Sequence, residues 1–271
     1  MSKPAKLPVW TTLRDCYLLP LENWRVVLDL SWTWLLLQTP ITLAFAAMAY
    51  NNDDKSPSAI MGFIQMCIEW LPMASIAVGW HQFLLLNRPP LATPYLRMDR
   101  TVWTYYAWGL AIAFVTIAII AVPFLLWVLM NVADTVSDEA KVQPAVEALS
   151  TPVQLLATLV FSFVAALTFR VALTLPSTAV EGDRPLNLRS SFTLTRGNTL
   201  RLCIIGTLGT LPCLLLAILL GGNEHSLFAY LASQLLIMLL GAIFAITGVT
   251  LFSLAYRHFM RQPLDSQGNL P

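Results

Sequence analysis

The sequence predicts an all-α membrane protein with six transmembrane helices. Six apolar runs are separated by polar segments, and they cover residues 26–50, 58–86, 102–130, 153–175, 200–220 and 227–256. About 20 predominantly apolar residues can cross the ~30 Å hydrocarbon core of a bilayer, and each run reaches that length. Charged residues make up only 11% of the chain, whereas a soluble domain carries roughly a quarter.

The basic residues predict the orientation of these spans. If the N-terminus is cytoplasmic, only Lys55 and Lys141 of the 16 Lys and Arg residues fall on the opposite side of the membrane. Cytoplasmic loops carry such an excess of positive charge. We therefore expect both termini in the cytoplasm. The predicted organisation is an amphipathic N-terminal segment (1–25), a six-helix domain (26–261) and a short cytoplasmic tail (262–271).

Two cytoplasmic segments, residues 7–24 and 186–200, are too polar to span and mix apolar with charged side chains. They are predicted to form interfacial amphipathic helices. Such helices can lie on the lipid headgroups or can cap the helix bundle, and the sequence leaves both arrangements open.

Four arginines are candidate lipid headgroup contacts in this arrangement: Arg14, Arg189, Arg196 and Arg201. A basic side chain near an anionic surface contributes about 1 kcal/mol. Membrane lipids are therefore the expected partners, together with other membrane proteins or a second copy of the chain. The formal net charge is only +1, so no nucleic-acid partner is predicted.

Glu69 is the candidate intramembrane site, because a charged carboxylate near the bilayer midplane costs at least ~2.5 kcal/mol unless it is paired. Gln65 lies one turn earlier on the same helix face. The functional interpretation is a proton or ligand site. The structural interpretation is a protonated carboxyl that is bonded to a neighbouring helix, for example to Gln38, Thr39 or Gln234.

His81 and Arg170 complete the candidate site, since both lie about 12–13 Å to the cytoplasmic side of the midplane at 1.5 Å per residue. They could face each other or pair with Asp29. The alternative for Arg170 is that its long side chain reaches the inner headgroups.

The predicted spans two, four and six end alike. Each end has an aromatic residue, then a cationic or ionisable one, and a proline six to eight positions after that, as in Trp80-His81 with Pro89 and Phe169-Arg170 with Pro176. This pattern suggests three duplicated helical hairpins. The alternative is ordinary helix termination by proline.

Motifs of known catalytic chemistry are absent: the sequence contains no HExxH, GxSxG, Walker A or GxGxxG pattern. The three histidines and four cysteines have no metal-ligand spacing. We therefore expect no metal and no cofactor, and a non-enzymatic role is favoured.

The stretch that follows the fourth run resembles a known pattern. Pro176 and Glu181-Gly182 follow the run, and a serine and Phe192 precede Arg196-Gly197-Asn198. This segment is similar to one in uncharacterised bacterial inner-membrane proteins, which are themselves similar to the membrane domain of some glycerophosphoryl diester phosphodiesterases. The resemblance implies a six-helix protein of the bacterial cytoplasmic membrane with cytoplasmic amphipathic helices. It implies no activity, because the phosphodiesterase site of that family lies in a separate soluble domain.

Together these observations predict a multi-pass protein of the cytoplasmic membrane with a structural, regulatory or assembly role. The alternative is a transporter or lipid-handling protein that is built around Glu69, with proline-broken helices forming the path.

Overall fold

The computed structural model describes residues 6–50, 59–90, 94–132, 168–181, 186–220 and 226–267, and every regular element in these ranges is helical. The helices are α1 (Val9–Glu22), α2 (Trp24–Tyr50), α3 (Ala59–Leu86), α4 (Arg100–Val132), α5 (Thr174–Glu181), α6 (Leu188–Leu194), α7 (Thr199–Leu220) and α8 (Leu227–Gln267). Residues 168–172 are also helical, and a turn at Leu173 separates them from α5. The predicted all-α class is confirmed.

Four helices of the described chain are long and apolar enough to cross a membrane. They are Trp24–Tyr50, Gly62–Leu86, Arg100–Ile119 and Leu227–Met260, and they match the first, second, third and sixth predicted spans. The fifth predicted span falls on α7, in which Thr199–Gly209 is a shorter apolar helix. Most of the fourth, residues 153–167, lies outside the described residues.

α8 is longer than the sixth apolar run, which ends at residue 256. Its apolar part extends to Met260, and the helix itself continues to Gln267, through most of the predicted tail 262–271. Charged side chains such as Arg257 end an apolar run without ending a helix, because the backbone hydrogen bonds that define the helix do not depend on side-chain polarity.

Side chains and backbone conformation define several helix ends. Asn187 accepts a hydrogen bond from the backbone N–H of Ser190 (2.8 Å) at the start of α6, and Asp99 accepts one from Val102 (3.0 Å) at the start of α4. Both are typical N-cap interactions. Asn87 (φ 54°) follows the last residue of α3, and its N–H donates to the Phe83 carbonyl (3.0 Å). Asparagine tolerates this left-handed conformation, which closes a helix C-terminus.

The loop before α4 is bound to the side of α3. Arg97 donates to Gln82 (2.6 Å) and pairs with Asp99 (2.5 Å), and the Ser75 hydroxyl donates to the Arg97 carbonyl (2.8 Å). Partial burial raises the pKa of Asp99, but the hydrogen bonds from Arg97 and from the Val102 N–H outweigh it, so this pKa lies below its usual value. The loop therefore holds α4 in place beside α3.

α3 and α8 form the centre of the bundle. α8 packs against α1, α2, α3, α5 and α7, while α3 packs against α2, α4, α5 and α8. Leu30 and Trp34 of α2 meet Ile76 and Trp80 of α3 and Ile246 of α8 in one buried cluster. Two further buried clusters flank this one, and the partly buried side chains of Val249 and Phe252 on α8 connect the three.

α1 is docked on α7 and α8. Its residues Leu13 and Cys16 are buried with Leu202 and Ile205 of α7 and Leu254 of α8. Burial raises the pKa of the Cys16 thiol to about 11, so this cysteine is a protonated, apolar packing group at neutral pH.

Hydrogen bonds also hold the N-terminal segment to α7. Leu7 donates its N–H to the side chain of Asn198 (2.9 Å), and its carbonyl accepts from Arg201 (2.6 Å). Tyr17 donates to the carbonyls of Leu208 (3.3 Å) and Gly209 (3.0 Å). Pro212 has no N–H to offer the Leu208 carbonyl four residues earlier, so the tyrosine hydroxyl satisfies an acceptor that the proline leaves free.

We predict that Gly79→Ala destabilises the bundle. A Cβ at position 79 would lie 2.6 Å from Leu30 Cδ2 and 2.7 Å from Tyr95 Oη, and overpacking of a core costs about 1–3 kcal/mol. Gly241→Ala is the matched control, because its Cβ would meet no described atom within 4 Å. Alanine stabilises a helix interior by roughly 0.5–1 kcal/mol relative to glycine, so this variant should not lose stability. Thermal unfolding in detergent measures both. Equal melting temperatures for the two variants would contradict the close approach at Gly79.

Candidate functional site

Glu69 lies in the candidate span of α3 and contacts α2. The side chain of Gln65 donates to Oε1 of Glu69 (2.8 Å), and the hydroxyl of Thr42 donates to the same oxygen (3.4 Å). The Thr42 hydroxyl also lies 3.5 Å from the sulfur of Met238 in α8. The carboxyl group is therefore placed where α2, α3 and α8 meet.

Gln65 and Glu69, which the sequence places on one helix face, are hydrogen-bonded, and the bond from Glu69 to a neighbouring helix involves a residue that was not among the examples given. Thr42 takes the place expected for Gln38, Thr39 or Gln234. Thr39 donates instead to the carbonyl of Leu35 in its own helix (2.8 Å). The hydroxyl that reaches Glu69 lies one turn further along the buried face of α2 than Gln38 does.

His81 lies in a separate, fully buried polar cluster between α3, α4 and α8. Its Nδ1 is 2.7 Å from the hydroxyl of Ser253, and its Nε2 is 3.1 Å from the hydroxyl of Tyr105. The neighbouring Trp80 donates its indole N–H to Thr250 (2.7 Å). All of these groups are buried.

The hydroxyls of Ser253 and Tyr105 satisfy both ring nitrogens of His81. A hydroxyl can donate or accept, so a neutral imidazole is fully bonded here in either tautomer. The cluster therefore fixes α3 against α4 and α8 without needing a charge.

Arg170 binds the turn after α6. Its guanidinium donates to the carbonyl of Phe192 (2.7 Å) and to the hydroxyl of Thr195 (2.9 Å), and it lies 4.6 Å from the centre of the Phe192 ring. The hydroxyl of Ser191 donates back to the Arg170 carbonyl. The guanidinium thus holds the α6 segment against the helical stretch 168–172.

The four residues predicted as one site do not come together. Gln65 and Glu69 are in contact, but His81 is 12 residues further along α3, about 18 Å at 1.5 Å per residue. The predicted pairing of His81 with Arg170 is not formed, because the two residues bind other groups. Neither of the described ion pairs, Arg14 with Asp15 and Arg97 with Asp99, involves Asp29.

The four candidate headgroup arginines also differ in their surroundings. Arg189 and Arg196 are exposed at α6, and Arg14 is exposed on α1 beside Asp15 (2.9 Å). Arg201 is half-buried and donates to the carbonyl of Leu7 (2.6 Å), so it holds the N-terminal segment.

The buried hydroxyl groups of α8 were missed by the sequence analysis. Thr247, Thr250 and Ser253 recur every three residues and are all buried. That spacing on one helix face, within an otherwise apolar run, is a signal from which a polar contact with another helix could have been predicted.

A cavity of about 510 Å³ lies at the end of α3, where Gln82, Arg88, Tyr95, Arg97 and Asp99 are among its lining residues. None of the predicted site residues lines it. Burial raises the pKa of Tyr95, so its hydroxyl there is a neutral donor. In the described part of the chain, no three His, Cys, Asp or Glu side chains are grouped as a metal site would require.

No protein-family model, no curated protein and no solved structure matches this chain.

We predict that Arg170→Lys destabilises the protein. An ammonium group cannot reproduce the planar fork that reaches Phe192 and Thr195, and a lost hydrogen bond to a charged group costs about 1.5–3 kcal/mol. Arg189→Lys is the control, because Arg189 is exposed and such changes stay within about 0.5 kcal/mol. Thermal unfolding of both variants checks this. If Arg170→Lys were as stable as the wild type, the result would instead favour the interpretation that the Arg170 side chain reaches the lipid headgroups.

Proposed function

We propose that this chain is a six-span protein of the bacterial cytoplasmic membrane, with both termini in the cytoplasm, and that it has a non-enzymatic role in organising lipids or partner proteins. The apolar helices, the excess of basic residues on one side and the resemblance of the 175–198 segment to bacterial inner-membrane proteins support this proposal. α1 and α6 would then lie at the level of the inner headgroups.

The two faces of α1 carry the proposal. One face, with Leu13 and Cys16, packs into the bundle. On the opposite face, Trp10 is 75% exposed and Leu21 is 68% exposed, and Leu18 is exposed between them. An amphipathic helix of this kind places such side chains at the boundary of headgroups and acyl chains.

Arg14 is on the outer face of α1 as well, and its side chain is 67% exposed. Long basic side chains reach towards anionic headgroups while their aliphatic parts cover apolar surface. Since Tyr17 of α1 bonds to α7 and Leu7, just before α1, bonds to Asn198, just before α7, the helix would present this face to lipid as a fixed part of the protein.

We predict that Arg189→Gln and Arg196→Gln each weaken the binding of anionic lipid about fivefold, because a basic residue near the surface contributes about 1 kcal/mol. Native mass spectrometry of the protein with phosphatidylglycerol in mild detergent measures the bound lipid. Glu22→Gln on α1 is the control, since it removes an exposed negative charge and should not reduce binding.

Unchanged lipid binding by both arginine variants would contradict contact with headgroups. Turnover of a lipid or phosphoester by the purified protein would contradict the non-enzymatic role.

A second candidate function is proton-coupled transport through Glu69. The observation that favours it is the position of this carboxyl between α2, α3 and α8, where Gln65 and Thr42 both donate to one of its oxygens. Pro72 follows three residues later within α3. Transporters place such breaks in helices next to their binding sites.

In this second candidate, Glu69→Gln abolishes proton flux while the fold is kept, because the amide retains the hydrogen-bonding shape but cannot release a proton. A pH-sensitive dye inside proteoliposomes measures the flux, and thermal unfolding measures the fold. Thr39→Val is the control, because it removes a hydroxyl of α2 that bonds to the Leu35 carbonyl of its own helix and not to Glu69. Equal flux in wild type, Glu69→Gln and Glu69→Leu would exclude the carboxyl as a site.

A further inference from the structure

The buried face of α2 carries polar atoms that the protein itself does not satisfy. Among the described side chains, Nε1 of Trp34, Oε1 of Gln38 and Oγ1 of Thr33 are buried without a hydrogen-bond partner. Gln38 is only 4% exposed and Trp34 only 6%. Burial of a polar atom without a hydrogen-bond partner is unfavourable, so a small polar molecule that bonds to these atoms would stabilise the bundle.

Trp34 and Gln38 offer complementary hydrogen-bonding groups on the same side of α2. The two residues are four apart, so they lie on one face of α2, about 6 Å apart along the axis. Trp34 is packed in the apolar cluster with Ile76 of α3 and Ile246 of α8. The indole can only donate and the amide oxygen can only accept, so a molecule that binds both atoms must do the reverse at each.

We propose that Trp34 and Gln38 bind water between α2, α3 and α8, and that this water gives Glu69 a route for proton exchange. Water accepts from an indole N–H and donates to an amide oxygen, and buried waters typically make about three hydrogen bonds. This assignment deepens the second candidate function and rests on it for its physiological role.

Thr42 links the proposed water to the carboxyl group. It lies one turn beyond Gln38 on the buried face of α2, and its hydroxyl donates to Glu69. A hydroxyl both accepts and donates, so it can pass a proton between water and carboxylate. The transfer is balanced: a hydronium ion protonates the Thr42 hydroxyl oxygen while that hydroxyl gives its own proton to the carboxylate, which leaves water, an intact hydroxyl and a carboxylic acid.

The test is the accessibility of position 38 to water. Gln38→Cys is reconstituted in proteoliposomes and treated with a membrane-impermeant methanethiosulfonate reagent, and mass spectrometry quantifies the label at that position alone. Leu37→Cys is the matched control, because it lies at the same depth on an exposed, lipid-facing side of α2. We expect position 38 to react at least ~10-fold faster, since only a hydrated thiol forms the reactive thiolate. Equal rates would overturn the proposal.

Gln38→Leu provides the second measurement and keeps the approximate shape of the side chain. If water bridges Trp34 and Gln38, the leucine removes the amide oxygen that accepts a hydrogen bond from this water, and the melting temperature falls. If the site is dry, the leucine removes an unsatisfied acceptor and the melting temperature rises or stays unchanged, which would overturn the proposal. Both readouts are independent of proton flux. Suppose that Gln38→Cys is labelled rapidly and that Glu69→Gln has the same proton flux as the wild type. These two results together would support the water site and exclude only the transport role.

Discussion

The register of α3 against α8 is the constraint on which the rest of the described structure depends. Trp80 donates to Thr250, and His81 contacts Ser253, so two consecutive residues of α3 are matched to two hydroxyls one turn apart on α8. A shift of either helix would leave these buried groups unpaired in an apolar surrounding, where the cost of an unpaired group is high. Hydrophobic packing alone would tolerate several registers; the polar pairs select one.

This register sets the positions of the neighbouring elements. Gln82, the next residue of α3, donates to the Ala179 carbonyl of α5 (2.8 Å). Tyr256 of α8 donates to Glu181, the last residue of α5. α5 is thereby held by both central helices. On the other side, α2 packs against α3 and α8, which brings Thr42 to Glu69 and faces Trp34 and Gln38 into the bundle. The same constraint therefore supports both the fold and the candidate site.

The two short helices α1 and α6 each precede a long helix, and their sequences correspond when Asn23 is matched with Asn198. Cys16 and Ser191, which occupy equivalent positions in this match, are both fully buried. Both segments have leucine and arginine at the start, a small buried residue followed by an aromatic one, and a second leucine: they are Leu13-Arg14-x-Cys16-Tyr17-x-Leu19 and Leu188-Arg189-x-Ser191-Phe192-x-Leu194. This correspondence adds to the similar ends of the predicted spans, which suggested duplicated hairpins. The two copies are used differently, because Tyr17 reaches a carbonyl near Pro212 whereas Phe192 lies beneath the guanidinium of Arg170.

Sequence alone determined the helical class, the approximate bounds of the long helices and the position of Gln65 and Glu69 on one helix face. These features follow from apolar length and from the spacing of residues along a single helix, which are local properties of the chain. Tertiary structure decided that Thr42 contacts Glu69, that Ser253 contacts His81 and that the guanidinium of Arg170 binds a carbonyl of α6. Such partners depend on the rotation and register of one helix relative to another, and a periodic apolar pattern is compatible with many of these arrangements.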